Sequence, residues 1–533
     1  MQYLVRNNCP SLRKAHALRL QHFKASTFLF ACLLLAAGIP GWCQEARDPL
    51  LDLMIQKGML TQDEAAKVKA EADAMRTTAL NQAMPPVQSK WKISKAVKDL
   101  ELFGDVRMRF EQRQAFTPPG DRIELDRARF AVRLGLRGNM FDDFYFGLRL
   151  ETSSNPRSSW VTMGSSSPAP FGKSSDGVAV GQAYLGWRPG GWLDITAGKM
   201  PNPMYTTPMT WDPDLNPEGI AERVKYTVGN ADFFGNFGQF VYQDNNPSYI
   251  SGSLVPYVAP TRTQEQTGTT PTFLLAWQAG VNYRFTESVS AKVAGTLYQY
   301  IGMQTNLNYS GIGDTFIGEG SYGGPRSGTI NGLTTQNGIY YNQIGVDNLL
   351  VVDVPFEVNF KISKLNARVF GDFAYNLSGS QRATEAVGAL AAQSQIASPG
   401  SQPPLVGYGA QTSDVKAYQI GFAIGNGDSL GLATGSVAKK NTWEFRTYWQ
   451  HVEQYALDPN LLDSDVFEGR GNLEGIFAAL AYGFTDNVIG SIRYGYASRI
   501  NSKLGTGGSN ADIPQFNPIQ RYNLLQVDIG VKF

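Results

Sequence analysis

The chain has 533 residues, a formal net charge of +1, 42% hydrophobic residues and only 17% charged residues. Soluble domains average about 25% charged residues, so this chain is poor in charge for an ordinary soluble enzyme, yet too polar for a bundle of membrane helices. Balanced charge excludes a strongly basic nucleic-acid binder, the apolar content excludes compositional disorder, and 56 Gly with 24 Tyr, 29 Phe and 9 Trp favour strands and turns.

Residues 1–26 carry Arg6, Arg13, Lys14, Arg19 and Lys24 with no acid. An apolar run from Thr27 to Ile39 follows, then Gly41-Trp42-Cys43. The run is too short to span a bilayer but suits a secretory leader, so 1–43 is predicted to be a signal peptide for Sec-type export. A lipidated Cys43 is the lesser alternative, because Trp42 occupies a place where a small residue belongs. Cys9, Cys32 and Cys43 all fall in this leader. Without it the chain has no cysteine and one histidine, His451, and 42 basic residues stand against 46 acidic ones, a net charge of −4. Thiol chemistry and histidine-based catalysis have almost nothing to work with.

Residues 44–80 are predicted to form a short helical hairpin. Leu50, Leu51, Met54 and Ile55 make one apolar patch, Gly58 breaks it, and Thr61 with Glu64 fits a capping box. Residues 81–100, with Pro85 and Pro86, are a linker.

After residue 100 the period changes to two. From Arg127 to Arg137 one face is Arg127, Arg129, Ala131, Arg133, Gly135 and Arg137, and the other is Ala128, Phe130, Val132, Leu134 and Leu136. The same alternation runs through 105–113, 144–151, 352–361 and 525–533. These runs are long for a soluble sandwich and suit tilted strands that cross a membrane. Sixteen segments begin near 101, 125, 143, 177, 192, 218, 231, 272, 288, 348, 365, 414, 440, 473, 488 and 521. Tight turns at 285–288, 362–365 and 484–488 alternate with long Gly/Ser/Thr-rich connections at 244–271, 300–347 and 377–413. Trp187, Trp192, Phe285 and Phe484 sit near strand ends, as interfacial aromatics do. The chain ends on Phe533, an aromatic closing an alternating strand. The predicted fold is all-β, a transmembrane antiparallel barrel of about sixteen strands over 101–533.

A barrel of that size encloses a water-filled channel, and the polar strand faces line it. Arg107, Arg109, Arg113, Arg127, Arg129, Arg133, Arg137 and Arg149 share that face in the first three strands, with Asp105, Glu111 and Glu151 among them. Glu444, Arg446, Arg368, Asp372, Asp353, Glu357 and Arg493 share it further round. Such a wall either favours anions or braces the barrel through paired charges. The proline-rich segment 201–218 cannot be a strand. Folded inward, it offers Trp211, Asp212, Asp214 and Glu218 as a constriction; otherwise it is a surface or subunit-contact loop. The three acids lack the full pattern of a calcium loop, and no metal or cofactor is expected. His451 lies beside Trp449 and Tyr455 and is the one histidine outside the leader, so an enzyme is not expected. The glycines of 318–324 and 505–508 precede no helix and are loop residues.

Several stretches resemble the Gram-negative putative porin family. They are Leu50-Leu51-Asp52-Leu53-Met54 with Gly58 and Thr61, Phe103-Gly104-Asp105-Val106-Arg107-Met108-Arg109, and the strand Arg127–Arg137. The most specific runs from Gly198-Lys199-Met200-Pro201-Asn202-Pro203 to Trp211-Asp212-Pro213-Asp214-Leu215-Asn216-Pro217-Glu218-Gly219. The resemblance implies a channel in the outer membrane of a Gram-negative bacterium, surrounded by lipid, passing small hydrophilic solutes and ions. Likeness to porins adds a homotrimer. An occluded structural or adhesive barrel is the alternative.

Overall fold

The computed structural model describes residues 95–153, 158–164, 177–243, 272–301, 349–384, 413–430, 439–506 and 519–533 apart from single positions. It also describes residues 57, 61, 64 and 67 and the backbone of 329–330 and 333–334. The leader, most of the helical prefix, the linker to residue 94 and the greater part of the three long connections lie outside the described residues. Within the prefix, Thr61 and Glu64 do form the reciprocal cap. The Thr61 amide donates to Glu64 Oε2 at 2.9 Å and the Glu64 amide to Thr61 Oγ1 at 3.4 Å.

Sixteen antiparallel strands close into a barrel. They are β1 (Glu101–Phe116), β2 (Arg122–Asn139), β3 (Phe144–Ser153), β4 (Gly177–Gly190), β5 (Leu193–Lys199), β6 (Glu218–Val228), β7 (Ala231–Gln243) and β8 (Thr272–Arg284). Then follow β9 (Ser290–Ile301), β10 (Leu350–Asp353 and Phe356–Ile362), β11 (Leu365–Asn376), β12 (Lys416–Gly425), β13 (Trp443–Val452), β14 (Leu473–Gly483), β15 (Val488–Arg499) and β16 (Arg521–Lys532). Each expected segment starts within three residues of an observed strand. β10 departs from the continuous strand expected over 352–361. Its ladder breaks at Val354-Pro355, where proline has no amide hydrogen to give, and the Pro355 carbonyl instead accepts from Ala294 at 3.1 Å.

Period-two patterning decides which way each side chain points. Leu102, Val106, Met108, Val132, Leu134, Leu148, Leu150, Leu185, Ile492 and Ile529 face outward and stay exposed. They form the apolar belt of a membrane barrel, with Trp187, Trp192, Phe285 and Phe533 exposed where that belt meets the short turns. Closure comes from β1 pairing with β16, from Asp105 opposite Lys532 to Phe116 opposite Arg521. Gly104 and Phe533 exchange backbone hydrogen bonds of 2.9 and 3.0 Å. A Cβ at Gly104 would lie 2.8 Å from the Phe533 ring and 2.4 Å from the Arg133 carbonyl oxygen, so the terminal aromatic needs glycine there.

The two ends differ, with one exception on each side. The connection 117–121 at the loop end is short, and 426–442 at the turn end is long. The latter sends Leu430 into the barrel beside Phe370 and Tyr448, and Arg368 donates to its carbonyl at 2.7 Å. The buried apolar clusters lie inside the barrel, between its wall and inward-folded loops. One gathers Met200, Met204, Met209 and Trp211 with Phe240, Tyr298 and Leu457; the other gathers Val466 and Phe467 with Phe477, Tyr522 and Leu524.

Candidate channel lumen

β1 and β2 place the arginines where alternation puts them. Arg109↔Arg129 and Glu111↔Arg127 are directly opposed. Glu111, fully buried, is the hub. It pairs with Arg127, with Arg113 at 3.2 Å and with Arg129 at 3.4 Å, and Arg109 approaches to 3.9 Å. Arg109 grips Asp528 of β16 through two bonds, at 2.7 and 2.9 Å. Arg133 and Arg149 share Glu151, at 3.5 and 3.1 Å, and Arg107 binds Asp105 at 2.7 Å. Arg137 lies nearer the turn end and pairs with Glu101 at 2.7 Å, both half exposed. Glu444 and Arg446 pair at 2.9 Å on the interior face of β13. Each partner cancels a charge that burial would make costly.

The 200–217 loop enters the barrel after β5, the shortest complete strand of the wall. Gly198 adopts φ +117°, a conformation other residues avoid, and a Cβ there would strike the Ala183 carbonyl oxygen at 2.3 Å. Trp211 is buried; its indole N–H donates to the Leu215 carbonyl at 3.1 Å and its ring meets Phe240 edge-on. The Tyr205 amide donates to Gln278 Oε1 at 2.8 Å, Thr207 bonds Asp372, and Asp214 bonds Arg133. Of the four expected constriction residues, three enter the interior. Glu218 does not: it is the first residue of β6, faces outward, and pairs with Lys199 at 2.6 Å. Alternation in β6 sets its side, the same as Ile220 and Val224. Asp212, Asp214 and Glu218 therefore do not converge, and among the described residues no three His, Cys, Asp or Glu side chains form a metal site.

A second inward loop, 453–472, was not legible in the sequence. It meets the first at Asp212, whose amide donates to the Leu461 carbonyl at 2.6 Å and whose carboxylate accepts from the Ser464 amide and hydroxyl at 3.2 Å. Asp465 accepts from Arg109 at 2.7 Å and lies 3.6 Å from Arg493. Burial pushes the Asp465 carboxyl up, but the Arg109 and Arg493 charges pull it down further, below its ordinary range. Asp214 behaves alike: burial opposes, and Arg133 and Arg107 hold it low. Asp463 has no such cation in contact, and burial and the Asp465 charge push it up to about 7. Trp160, from a third inward segment, lies under the Arg109 and Arg107 guanidinium groups, 4.1 and 4.8 Å from its ring.

Water reaches the seam between this wall and the loops. Side chains of Asp465, Asp214, Arg107 and Arg493 are 26%, 25%, 23% and 19% exposed, whereas Glu111 and Arg113 are sealed. At the turn end the sequence reading missed a basic mouth. Arg188 and Arg223 share Asp194, and Arg284 and Lys225 share Asp232, at 3.1 and 3.9 Å for the latter pair. These four cations are about half exposed on the interior-facing register of β4, β6 and β8; that phase was visible had the alternation been extended beyond β3. His451 lies at the loop end, stacked on Tyr418 at 4.6 Å with Glu474 at 2.9 Å, and touches none of this.

Three solved structures match the chain at low similarity. An anion-selective porin from Comamonas acidovorans is 10% identical with a TM-score of 0.39, over 82% of this chain and 99% of that one. OprB from Pseudomonas putida, in a high-pH structure, is 12% identical with a TM-score of 0.40, over 81% and 94%. The outer membrane channel DcaP of Acinetobacter baumannii is 12% identical with a TM-score of 0.39, over 83% and 99%. No curated protein matches the chain. A family model described as Putative porin matches residues 104–318, from β1 through the first inward loop and beyond β9. Over residues 104–318 the chain thus carries the sequence pattern of the Putative porin family, as its Gly198–Pro203 and Trp211–Gly219 motifs imply.

Proposed function

We propose that the protein is an outer-membrane porin that passes small hydrophilic solutes and ions between the arginine wall and the two inward loops, and that it favours anions. One observation carries the reading: the barrel is closed, and its water-accessible charges gather along the seam where Arg107, Arg133 and Arg493 face Asp214 and Asp465. The wall arginines are largely matched by strand acids, Asp105, Glu111, Glu151 and Asp528, and by the loop acids Asp214 and Asp465. The preference for anions therefore rests on the mouth, where four cations share two carboxylates. Trp211, Asp212 and Asp214 act as the constriction; Arg107, Arg109, Arg113, Arg127, Arg129, Arg133, Arg137, Arg149, Glu111, Glu444 and Arg446 line or brace the lumen.

The occluded-barrel reading draws on the two apolar clusters that fill much of the interior. Single-channel recording of the refolded chain in a planar bilayer under a salt gradient separates the two. Ohmic steps with a reversal potential of anionic sign support the porin. A barrel that inserts correctly and passes no current overturns it.

A further inference from the structure

The basic mouth at the turn end holds more cation than its carboxylates need. Alternation on β6 points Arg223 and Lys225 inward on successive inner positions, about 7 Å apart along the strand. Arg223 stands opposite Asp194 of β5. Lys225 stands one inner position short of Thr227, which faces Asp232 of β7. Arg188 joins Asp194 from β4 and Arg284 joins Asp232 from β8, at 2.7 and 3.1 Å. The result is two clusters side by side, each with two cations on one aspartate.

Both aspartates are already saturated. Asp194 Oδ1 accepts from the Tyr145 hydroxyl, and its Oδ2 accepts from Arg188 and Arg223. Asp232 Oδ1 accepts from Thr227 at 2.7 Å, and its Oδ2 accepts from Arg284 at 3.1 Å. One cation on each would neutralise them, so the second is repelled by the first unless something else compensates it. Donors are also left over. Arg223 spends only Nη2 on Asp194, and the Lys225 ammonium stops 3.9 Å from Asp232, beyond hydrogen-bond range. The two side chains are 40% and 57% exposed, whereas Asp194 and Asp232 are sunk in the wall. Cations standing forward of their acids turn positive charge toward the lumen. A forked guanidinium edge beside a flexible ammonium suits anionic oxygens. Each cluster carries a net charge of one, so an anion that reaches both is matched when it carries two. We infer that Arg223 and Lys225, flanked by Arg188 and Arg284, form a saturable site for a small divalent oxyanion. The site deepens the proposed anion preference and rests on that reading for its part in transport, though not for binding itself.

Isothermal titration of the full chain, refolded in detergent at low salt, measures binding without conduction. The probes are sulfate, with two charges on one centre, malonate, with two charges on two carboxylates, and acetate, with one charge. At least one divalent probe should bind about tenfold more tightly than acetate. Preference for malonate supports one carboxylate on each cluster; preference for sulfate supports a compact anion seated between them. Arg223→Gln and Lys225→Gln each leave an aspartate with one cation, and each should lower divalent affinity about tenfold, toward that of acetate. Lys439→Gln removes an exposed cation paired with Asp428 at the same end and should leave binding unchanged. If Arg223→Gln folds poorly, Arg223→Lys, which keeps the charge and loses the fork, should still weaken binding. Divalent probes no tighter than acetate would overturn the site, as would an equal loss in Lys439→Gln, even in a barrel that conducts. Divalent binding by a barrel that passes no current would uphold the site and overturn the channel alone.

Discussion

Glu111 and Arg137 show how differently two residues of one ladder count. Glu111 is sealed among Arg127, Arg113 and Arg129, so Glu111→Gln leaves buried guanidinium groups uncompensated. Removing one partner of a buried pair costs about 3–5 kcal/mol. The half-exposed Arg137–Glu101 pair is screened by water, and Arg137→Ala should cost about 1 kcal/mol or less. Urea unfolding of the two variants in detergent measures the gap; equal midpoints would show that the hub does not brace the wall. Asp463 adds a pH dependence. Its folded carboxyl titrates near 7 against an ordinary value of 3.8, so the native state holds a proton the unfolded state has lost. The contribution is fully present below about pH 3.8 and is lost as pH rises through about 7, when Asp463 becomes charged beside Asp465 and Asp214. Melting temperature should fall across that window, and Asp463→Asn should flatten the fall. Which arginines face inward was legible from the alternation alone. The partners on the same strands, Asp105, Glu111 and Glu151, were legible with them, and Asp214 was expected on an inward loop; Asp465 and Asp528 were not, because they come from remote parts of the chain and only closure brings them to β1 and β2.

Among elements, strands were far more legible than loops, for a physical reason. A strand with one face in lipid and one in water must alternate, and the sixteen segments declared themselves by that period. An inward loop obeys no period. The 200–217 loop was found through its prolines and acids; the 453–472 loop carries no such signal beyond Tyr455, Leu457, Leu462 and Phe467, apolar residues in a connection that solvent would otherwise surround. That second loop also holds Phe467 and Glu468 at φ +51° and +60°, conformations costing on the order of 1–3 kcal/mol each, offset by the buried Glu468–Arg470 pair at 2.8 Å. Gly198 is the hinge of the first loop. Gly198→Ala brings a Cβ against the Ala183 carbonyl and forces the same kind of strain, on the order of 1–3 kcal/mol. Trp211→Ala empties the centre of the loop's apolar contact with Phe240 and Tyr298 and should destabilise by roughly 3–5 kcal/mol. If the loop forms the constriction, both variants should also raise single-channel conductance. Unchanged conductance in a destabilised Trp211→Ala protein would confine the loop to a structural role.

At the scale of the whole molecule, polar pairs interrupt the outward belt of the described residues at β5–β7. Lys199 and Glu218 pair on the outer side of β5 and β6, and Gln239 Nε2 donates to Glu222 at 3.1 Å on the outer side of β6 and β7. Glu222 lies four residues along β6 from the exposed Tyr226, roughly 10 Å into the belt for a tilted strand. Charged groups at that depth are destabilising against lipid. Next to them an outward groove of about 660 Å³ has a floor of Gly235, Ala279 and Gly295 and walls of Phe237 and Trp277, whose rings stack at 5.5 Å. Small floors let backbones approach closely. This face, with its outward charges beside a groove of small residues, is the expected contact of the homotrimer that likeness to porins adds. No cysteine follows Cys43, so single-cysteine spin labels report cleanly. A label at Glu222→Cys should be shielded from dissolved oxygen in bilayers, while one at Ile529→Cys, on the uninterrupted belt, should be fully exposed to it. Detergent-extracted protein should carry the mass of three chains. Equal oxygen access at both sites would place β6 against lipid and remove it from any subunit contact, whether or not the barrel conducts.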